Sequence, residues 1–235
     1  MLTEAQKQLL LQEKDQNIAL IYLAEEYPLT GLMQSGNMMM CRFQSDEEWC
    51  HFSHNSTTRF IDDFFGSHPS GQYVVISDDH VFDYARKHHR LIWSITCHRL
   101  FLKDSVTSSV NNLIQPLRSE HLKIVYDNSK YQQFLNLNYL SKRLDLGGGY
   151  CVNVEDNPVG WMMTHDDGSV GMLHVLDDFR GRGYARMLVK AMTNRVRQKG
   201  REVYAHIEPS NEPSLKLFLS LGFEIRGKIT WAFFR

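Results

Sequence analysis

The chain has 235 residues, 43% of them hydrophobic and 23% charged, which suits a folded protein with one large core or two modest ones. A formal net charge of -1 and a pI near 6.8 lack the basic excess of a protein held on nucleic acid through phosphates, and no apolar run reaches membrane-spanning length. The opening Met-Leu-Thr-Glu-Ala-Gln-Lys has no charged-then-apolar signal pattern, so the cytoplasm is the expected location, with Cys41, Cys50, Cys97 and Cys151 as reduced thiols at irregular spacings.

The first segment opens with helices. Thr3 is a plausible N-cap for a helix through Leu9 and Leu10, and Ile18 to Tyr27 reads as a second helix that Pro28 stops. Strand patterns follow at Asn37 to Phe43, Trp49 to Ser53, Tyr73 to Ser77 and Leu91 to Leu102, with helices expected at Thr57 to Phe65 and Asp79 to His88. Cys50-His51-Phe-Ser-His54 lacks the paired Cys-x-x-Cys spacing of a metal site, and no metal is expected. The basic run Arg86 to Arg90 reads as a solvated helix end. Residues 1 to 103 thus form an α/β domain with no glycine turn.

The polar run from Lys103 to Asn112 marks a boundary, with a linker at 104 to 111 and a second domain over 112 to 235. Leu113 begins a short strand, Ser119 is read as a helix cap, and one helix to Tyr126 and another from Ser129 to about Leu144 follow. Tyr150 to Val154, Val159 to His165 and Ser169 to Leu176 form an antiparallel meander, turning at Glu155-Asp-Asn-Pro158 and at Asp166-Asp-Gly168.

The third strand runs into Arg180-Gly-Arg-Gly183-Tyr-Ala185 and then into a helix with Ala185, Leu188, Val189, Met192 and Val196 on one face. Glycines allow backbone N–H groups close approach to an anion, the helix N-terminus adds a partial positive charge, and Arg180, Arg182 and Arg186 add full ones. A pyrophosphate fits that description. A dinucleotide site here would need the turn to open a parallel βαβ unit, and the antiparallel meander argues against one. Gly200 closes the helix, Glu202 to Ile207 is a buried strand, and Asn211 caps a short helix with Leu215, Phe218 and Leu219 read as core. Gly222 stops that helix before a last strand or hairpin, Phe223 to Arg235.

With Arg180-x-x-Gly183-x-Ala185 after one strand and Asn211-x-x-Ser214-x-x-x-Phe218-x-x-Leu-Gly-Phe223 after the next, residues 112 to 235 resemble the GNAT superfamily of acyl-CoA-dependent N-acyltransferases. Within it the chain is similar to the glycine N-acyltransferase-like branch, whose N-terminal half is a degenerate copy of the fold. Leu91 to Leu102 and Phe223 to Arg235 echo one another as aromatic closing strands. The resemblance implies an α/β (α+β) fold with a mixed, mostly antiparallel twisted sheet flanked by helices.

The same resemblance implies acetyl-CoA as acyl donor. The pyrophosphate would lie on the backbone of Arg180, Gly181, Arg182, Gly183, Tyr184, Ala185 and Arg186, and backbone groups of Leu173 and Val175 would meet the thioester carbonyl and the pantetheine amide. Asn211, Ser214 and Phe218 would line the far side. Many members keep a Tyr at the place of Phe218 and a Glu or His early on the fourth strand, where this chain has Ser169 and Gly171. An amine with pKa about 10 arrives protonated, so a base is needed. Glu208, acting through water, is the first candidate, followed by His174 and His206.

The implied activity is N-acetyl transfer to a small-molecule amine by direct attack in a ternary complex, with neither nucleic acid nor membrane as partner and a homodimer compatible. An acyl-CoA-binding regulatory module that has lost turnover is the alternative.

Overall fold

A computed structural model describes residues 1–45, 49–103 and 113–235. The elements in chain order are α1 (Glu4–Gln12), α2 (Lys14–Glu26), β1 (Leu29–Ser35), β2 (Met38–Phe43), β3 (Cys50–Phe52), α3 (Thr58–Ser67), β4 (Gln72–Ile76), α4 (Asp79–His88) and β5 (Leu91–Leu102). Then come β6 (Ile114–Pro116), α5 (Leu122–Asp127), α6 (Leu137–Leu146), β7 (Gly149–Val154), β8 (Asn157–Thr164) and β9 (Val170–Val175). The chain ends with α7 (Tyr184–Gln198), β10 (Tyr204–Ile207), α8 (Glu212–Ser220) and β11 (Phe223–Phe234).

Local chemistry accounts for most of these boundaries. Gln6 donates its N–H to Thr3 Oγ1 at 3.2 Å while Gln6 Oε1 accepts the Thr3 N–H at 2.9 Å, a capping box that starts α1. Tyr27, ahead of Pro28, is extended and ends α2. Asp78 accepts the N–H groups of His80 and Val81 and starts α4, whose last turn carries Arg86, Lys87 and His88.

One sheet has the order β1-β2-β3-β4-β11-β5-β10 and the other β6-β7-β8-β9. The two closing strands expected to echo each other, β5 and β11, are therefore sheet neighbours, and Thr96 Oγ1 lies 2.8 Å from Thr230 Oγ1. The pairing is mixed and mostly antiparallel, with β3 and β4 parallel.

The chain divides into two compact units that interleave in sequence. The first comprises Met1–Leu100, His206–Glu212 and Ile225–Arg235, the second Phe101–Ala205 and Pro213–Glu224. The expected linker at 104 to 111 lies outside the described residues. In the first unit, Thr230 to Phe234 of β11 pair with Ile76 to Gln72 of β4, so the end of the chain completes that unit's sheet. Its core gathers Phe52, Phe60, Phe64, Val74, Ile76 and Phe234.

In the second unit, β6, β7, β8 and β9 form the expected meander, with Glu155 and Asp156 at positive φ in the two-residue loop between β7 and β8. Leu117, Val125, Leu140, Cys151, Trp161 and Met163 form a core there.

Some expectations need correction. Ser119 is the first residue of a short 3-10 helix, and the cap position is Arg118, whose N–H is taken by Nδ1 of buried His121 at 3.2 Å. The helix expected from Ser129 to Leu144 is broken: Gln132–Phe134 form a single 3-10 turn, and Asn136 restarts the chain as α6 by accepting the Tyr139 N–H at 2.8 Å. Leu219, read as core, is 45% exposed.

The four cysteines are buried free thiols. Among the described residues no helix is long and apolar enough to cross a membrane.

Candidate active site

β9 is the edge of its sheet and is irregular where the chemistry is expected. Trp161 pairs with His174 and Met163 with Gly171, so Met172 and Leu173 together stand against the one residue between them on β8. That is a β-bulge, and Met172 takes φ +50° to make it. A bulge re-aims the backbone of an edge strand, here at Leu173, before the ladder resumes at His174 and Val175.

Beyond Val175 the chain makes a 3-10 turn at Asp177–Phe179, and Arg180 anchors it. Arg180 Nε donates to the Val175 carbonyl at 3.1 Å and Nη2 pairs with Asp177 Oδ1 at 2.7 Å. Gly181 and Gly183 adopt φ +76° and +82°, with Gly183 as the N-cap of α7. A Cβ added at Gly181 would meet nothing within 4 Å, and one at Gly183 only Met187 Cε at 3.9 Å, so backbone conformation rather than crowding calls for glycine. The space over the turn is open.

The first helical bond of α7 runs from the Met187 N–H to the Gly183 carbonyl, and the N–H groups of Tyr184, Ala185 and Arg186 have no acceptor within the helix. Arg186 Nη2 donates to Ser220 Oγ at 2.7 Å, tying the start of α7 to the end of α8. Open space, two left-handed glycines and a bare helix N-terminus suit a phosphate-bearing ligand.

The second unit also holds Ser214, half-buried on α8, and Phe218, buried and edge-on to Phe223 at 4.8 Å between ring centroids. His174 stacks on Trp161 with centroids 4.9 Å apart. Burial pushes its imidazole below the usual histidine value, Arg180 pushes the same way, and Asp177 opposes them. Glu208 and Asn211 belong to the first unit, following β10 and preceding α8, and the Asn211 N–H donates to the Glu208 carbonyl at 2.9 Å. His206, also there, packs against Trp231 at 5.1 Å.

Sequence reasoning passes over His165. The hairpin between β8 and β9 turns at Asp166-Asp167-Gly168, with the His165 N–H donating to the Ser169 carbonyl at 2.8 Å. It lays the His165 ring over β9, where a Cβ added at Gly171 would stand 2.2 Å from His165 Nε2. The signal was a histidine just before a two-aspartate turn and a side-chain-free residue two positions beyond Ser169, legible only once the register is known.

Comparison with known proteins bears on this geometry. Residues 149–232 match the family model described as FR47-like protein. No curated protein matches the sequence. Among solved structures, a Drosophila protein superposes with a TM-score of 0.69 at 18% identity, over 97% of this chain and 89% of its own. A GCN5-related N-acetyltransferase from Kribbella flavida gives 0.61 at 10% identity, over 93% and 95%. A tandem GNAT protein from the clavulanic acid biosynthesis pathway gives 0.52 at 13% identity, over 93% and 86%. What is shared at these identities is the fold: the chain has the mixed, mostly antiparallel GNAT architecture.

Proposed function

We propose that the protein is an acyl-CoA-dependent N-acyltransferase that moves an acetyl group from acetyl-CoA directly to the amine of a small molecule in a ternary complex. The observation that carries this reading is the junction of β9 with α7, where a bulged edge strand leads through two left-handed glycines into a bare helix N-terminus. The match of residues 149–232 to the FR47-like model and the shared fold support it.

The bound thioester supplies an activated acyl carbon and a thiolate leaving group. The amides of Tyr184, Ala185 and Arg186, with Arg180, Gly181, Arg182 and Gly183, would hold its pyrophosphate, and the Val175 backbone would hold the pantetheine amide. The Leu173 N–H, next to the bulge, would stabilise the carbonyl oxygen as negative charge develops there, an interaction worth about 3 kcal/mol where its like has been removed. Ser214 and Phe218 of the same unit complete the cofactor-contacting set, to which the family resemblance adds Asn211. Glu208 and His174 are the acceptors carried over from the sequence for the ammonium proton, each tested by a glutamine substitution.

The tandem protein of similar fold supports reading residues 1 to 103 as a degenerate copy. A cytoplasmic location fits the buried free thiols.

Calorimetry with CoA, followed by a screen of amines for acyl-dependent thiol release, tests the proposal. Binding without release under any amine favours the second reading, a CoA-binding module without turnover, which draws on Phe218 being buried against Phe223 where a proton donor would stand. Absence of CoA binding defeats both.

A further inference from the structure

The bulge in β9 carries a methionine where glycine would fit more easily. Met172 takes φ +50°, a left-handed backbone that the first residue of a bulge ordinarily reaches as glycine, and further along the same junction Gly181 and Gly183 adopt it as glycines. Methionine holds this conformation against a steric penalty. A side chain kept there despite that penalty points to a use for it.

The register fixes the direction of that side chain. Gly171 stands opposite Met163 and His174 opposite Trp161, and both Met163 and Trp161 belong to the core that this sheet forms with α5 and α6. A regular ladder would set Met172 opposite Met162, on the other face of the sheet from Trp161. The extra residue instead brings Met172 to the Trp161 face, half-buried and packed against that core. Leu176, two positions past His174, packs against it as well, and so do Ile124 and Tyr126 of α5 and Leu135 just before α6, all of them half-buried. The bulge thus turns Met172 onto a partly exposed apolar surface.

The polar groups of this region are engaged elsewhere. Gln132 Nε2 donates to the carbonyls of Tyr126 and Asp127 at 3.1 and 3.0 Å, which ties the turn before α6 to the end of α5. Asp127 pairs with Lys123 at 2.8 Å and Glu120 with Arg118 at 3.2 Å, each pair exposed, so both carboxylates are neutralised at the surface.

Leu173, whose N–H the proposed function sets against the acyl carbonyl oxygen, is the residue joined to Met172. That N–H belongs to the peptide group that starts at the Met172 Cα, two bonds away. An amine attacking the carbonyl therefore brings its substituents beside a long, unbranched thioether side chain, which adapts its shape to apolar groups.

We infer that Met172 selects the acceptor: the protein acylates amines whose body is apolar and uncharged, their hydrocarbon lying on the Met172 side chain, in preference to hydroxylated or polycationic amines. This rests on the transfer reading and deepens it by naming the acceptor class.

The test measures thiol release by the full chain with acetyl-CoA and, in turn, ethylamine, butylamine, ethanolamine and putrescine. From ethylamine to butylamine kcat/KM rises about fourfold per methylene, the weight of burying one CH2 group, while ethanolamine and putrescine stand no higher than ethylamine. Met172→Gly suits φ +50°, so the bulge outlives the side chain. It cuts the butylamine-to-ethylamine ratio from about sixteenfold to about fourfold or less, through KM rather than kcat, and Met172→Leu restores most of the ratio. A side chain that only packed the core would alter stability and both amines alike, leaving the ratio in place. Independently of turnover, in protein labelled at the methionine methyls and saturated with CoA, the resonance that Met172→Leu removes shifts on adding butylamine and stays put with ethanolamine.

A protein that binds CoA yet releases no thiol with any amine defeats the transfer reading, and the inference falls with it. Transfer to ethanolamine or putrescine as efficient as to butylamine leaves the transfer reading standing and overturns the inference. So does a butylamine-to-ethylamine ratio unchanged in Met172→Gly, or a Met172 methyl that does not respond to butylamine.

Discussion

Trp161 and His174 face each other across β8 and β9 as a register pair, their rings 4.9 Å apart and inclined by 17°. The stack half-buries the imidazole beside Arg180, which is why its protonated form is disfavoured. His121, the buried last residue of the short 3-10 helix that begins the second unit's helical pair, is shifted the same way, by burial first, with Glu120 opposing and Arg118 adding to it.

Both histidines therefore bind protons more weakly in the native state than in the unfolded chain. Stability is full above the ordinary histidine value of 6.5 and is lost as the pH falls below it, because the unfolded chain takes up those protons first. The urea midpoint should drop between about pH 8 and about pH 5, and His174→Phe, which keeps the stack and removes the titration, should flatten part of that drop. A wild-type midpoint constant over this range contradicts the assignment.

Gly183→Val should abolish detectable CoA binding while the protein stays folded. A β-branched residue resists φ +82°, at a cost of about 1 to 3 kcal/mol, and places methyl groups in the open space above the turn. Because the turn is exposed, the cost falls on the site more than on the core. Circular dichroism should match wild type as calorimetry loses the CoA signal. A folded variant with unchanged affinity would remove the glycine turn from the cofactor site.

Much of this layout was legible locally. The capping box at Thr3, the cap at Asp78, the β7–β8–β9 meander and the apolar face of α7 each depend on residues a few positions apart. β1 went unread because Leu29–Ser35 is an edge strand with Gly31 inside it and no strongly buried face. The break before α6 was hidden because Asn136 reads as a helix interior residue unless its capping bond is seen. The pairing of β11 with β4 joins residues far apart in the chain, and no local period encodes it. At the site, the glycine turn was visible as a motif, whereas the bulge at Met172 and the ring over Gly171 depend on cross-strand register.

The chain should bind one CoA. Among the described residues of the first 103, the one glycine at positive φ is Gly36, in the tight turn between β1 and β2, so no helix there opens on a left-handed glycine. Anion binding of the kind proposed needs that opening together with the bare N–H groups behind it. Titration should end at one equivalent per chain, and two equivalent sites would show that the N-terminal half binds CoA by other means.

Arg99 should prove one of the most sensitive positions in the first unit. Its guanidinium is fully buried, donating from Nη1 to the Gln16 carbonyl at 2.8 Å and to Ser77 Oγ at 3.4 Å, and from Nη2 to the Lys228 carbonyl at 3.2 Å and to the Gln16 side chain. It thus joins α2, the end of β4 and β11. Gly227 makes room for it: at φ +105° a Cβ there would sit 3.4 Å from Nη2 and 3.3 Å from Gln16 Oε1. Arg99→Ala deprives two carbonyls of these donors and opens a cavity, so it should cost on the order of 3 kcal/mol or more. Arg99→Lys keeps the charge but cannot serve both carbonyls from one planar fork, and should fall between alanine and wild type. Urea unfolding of the three proteins gives the order. If Arg99→Ala loses less than about 1 kcal/mol, the network does not hold these elements together and their packing is carried by apolar contact alone.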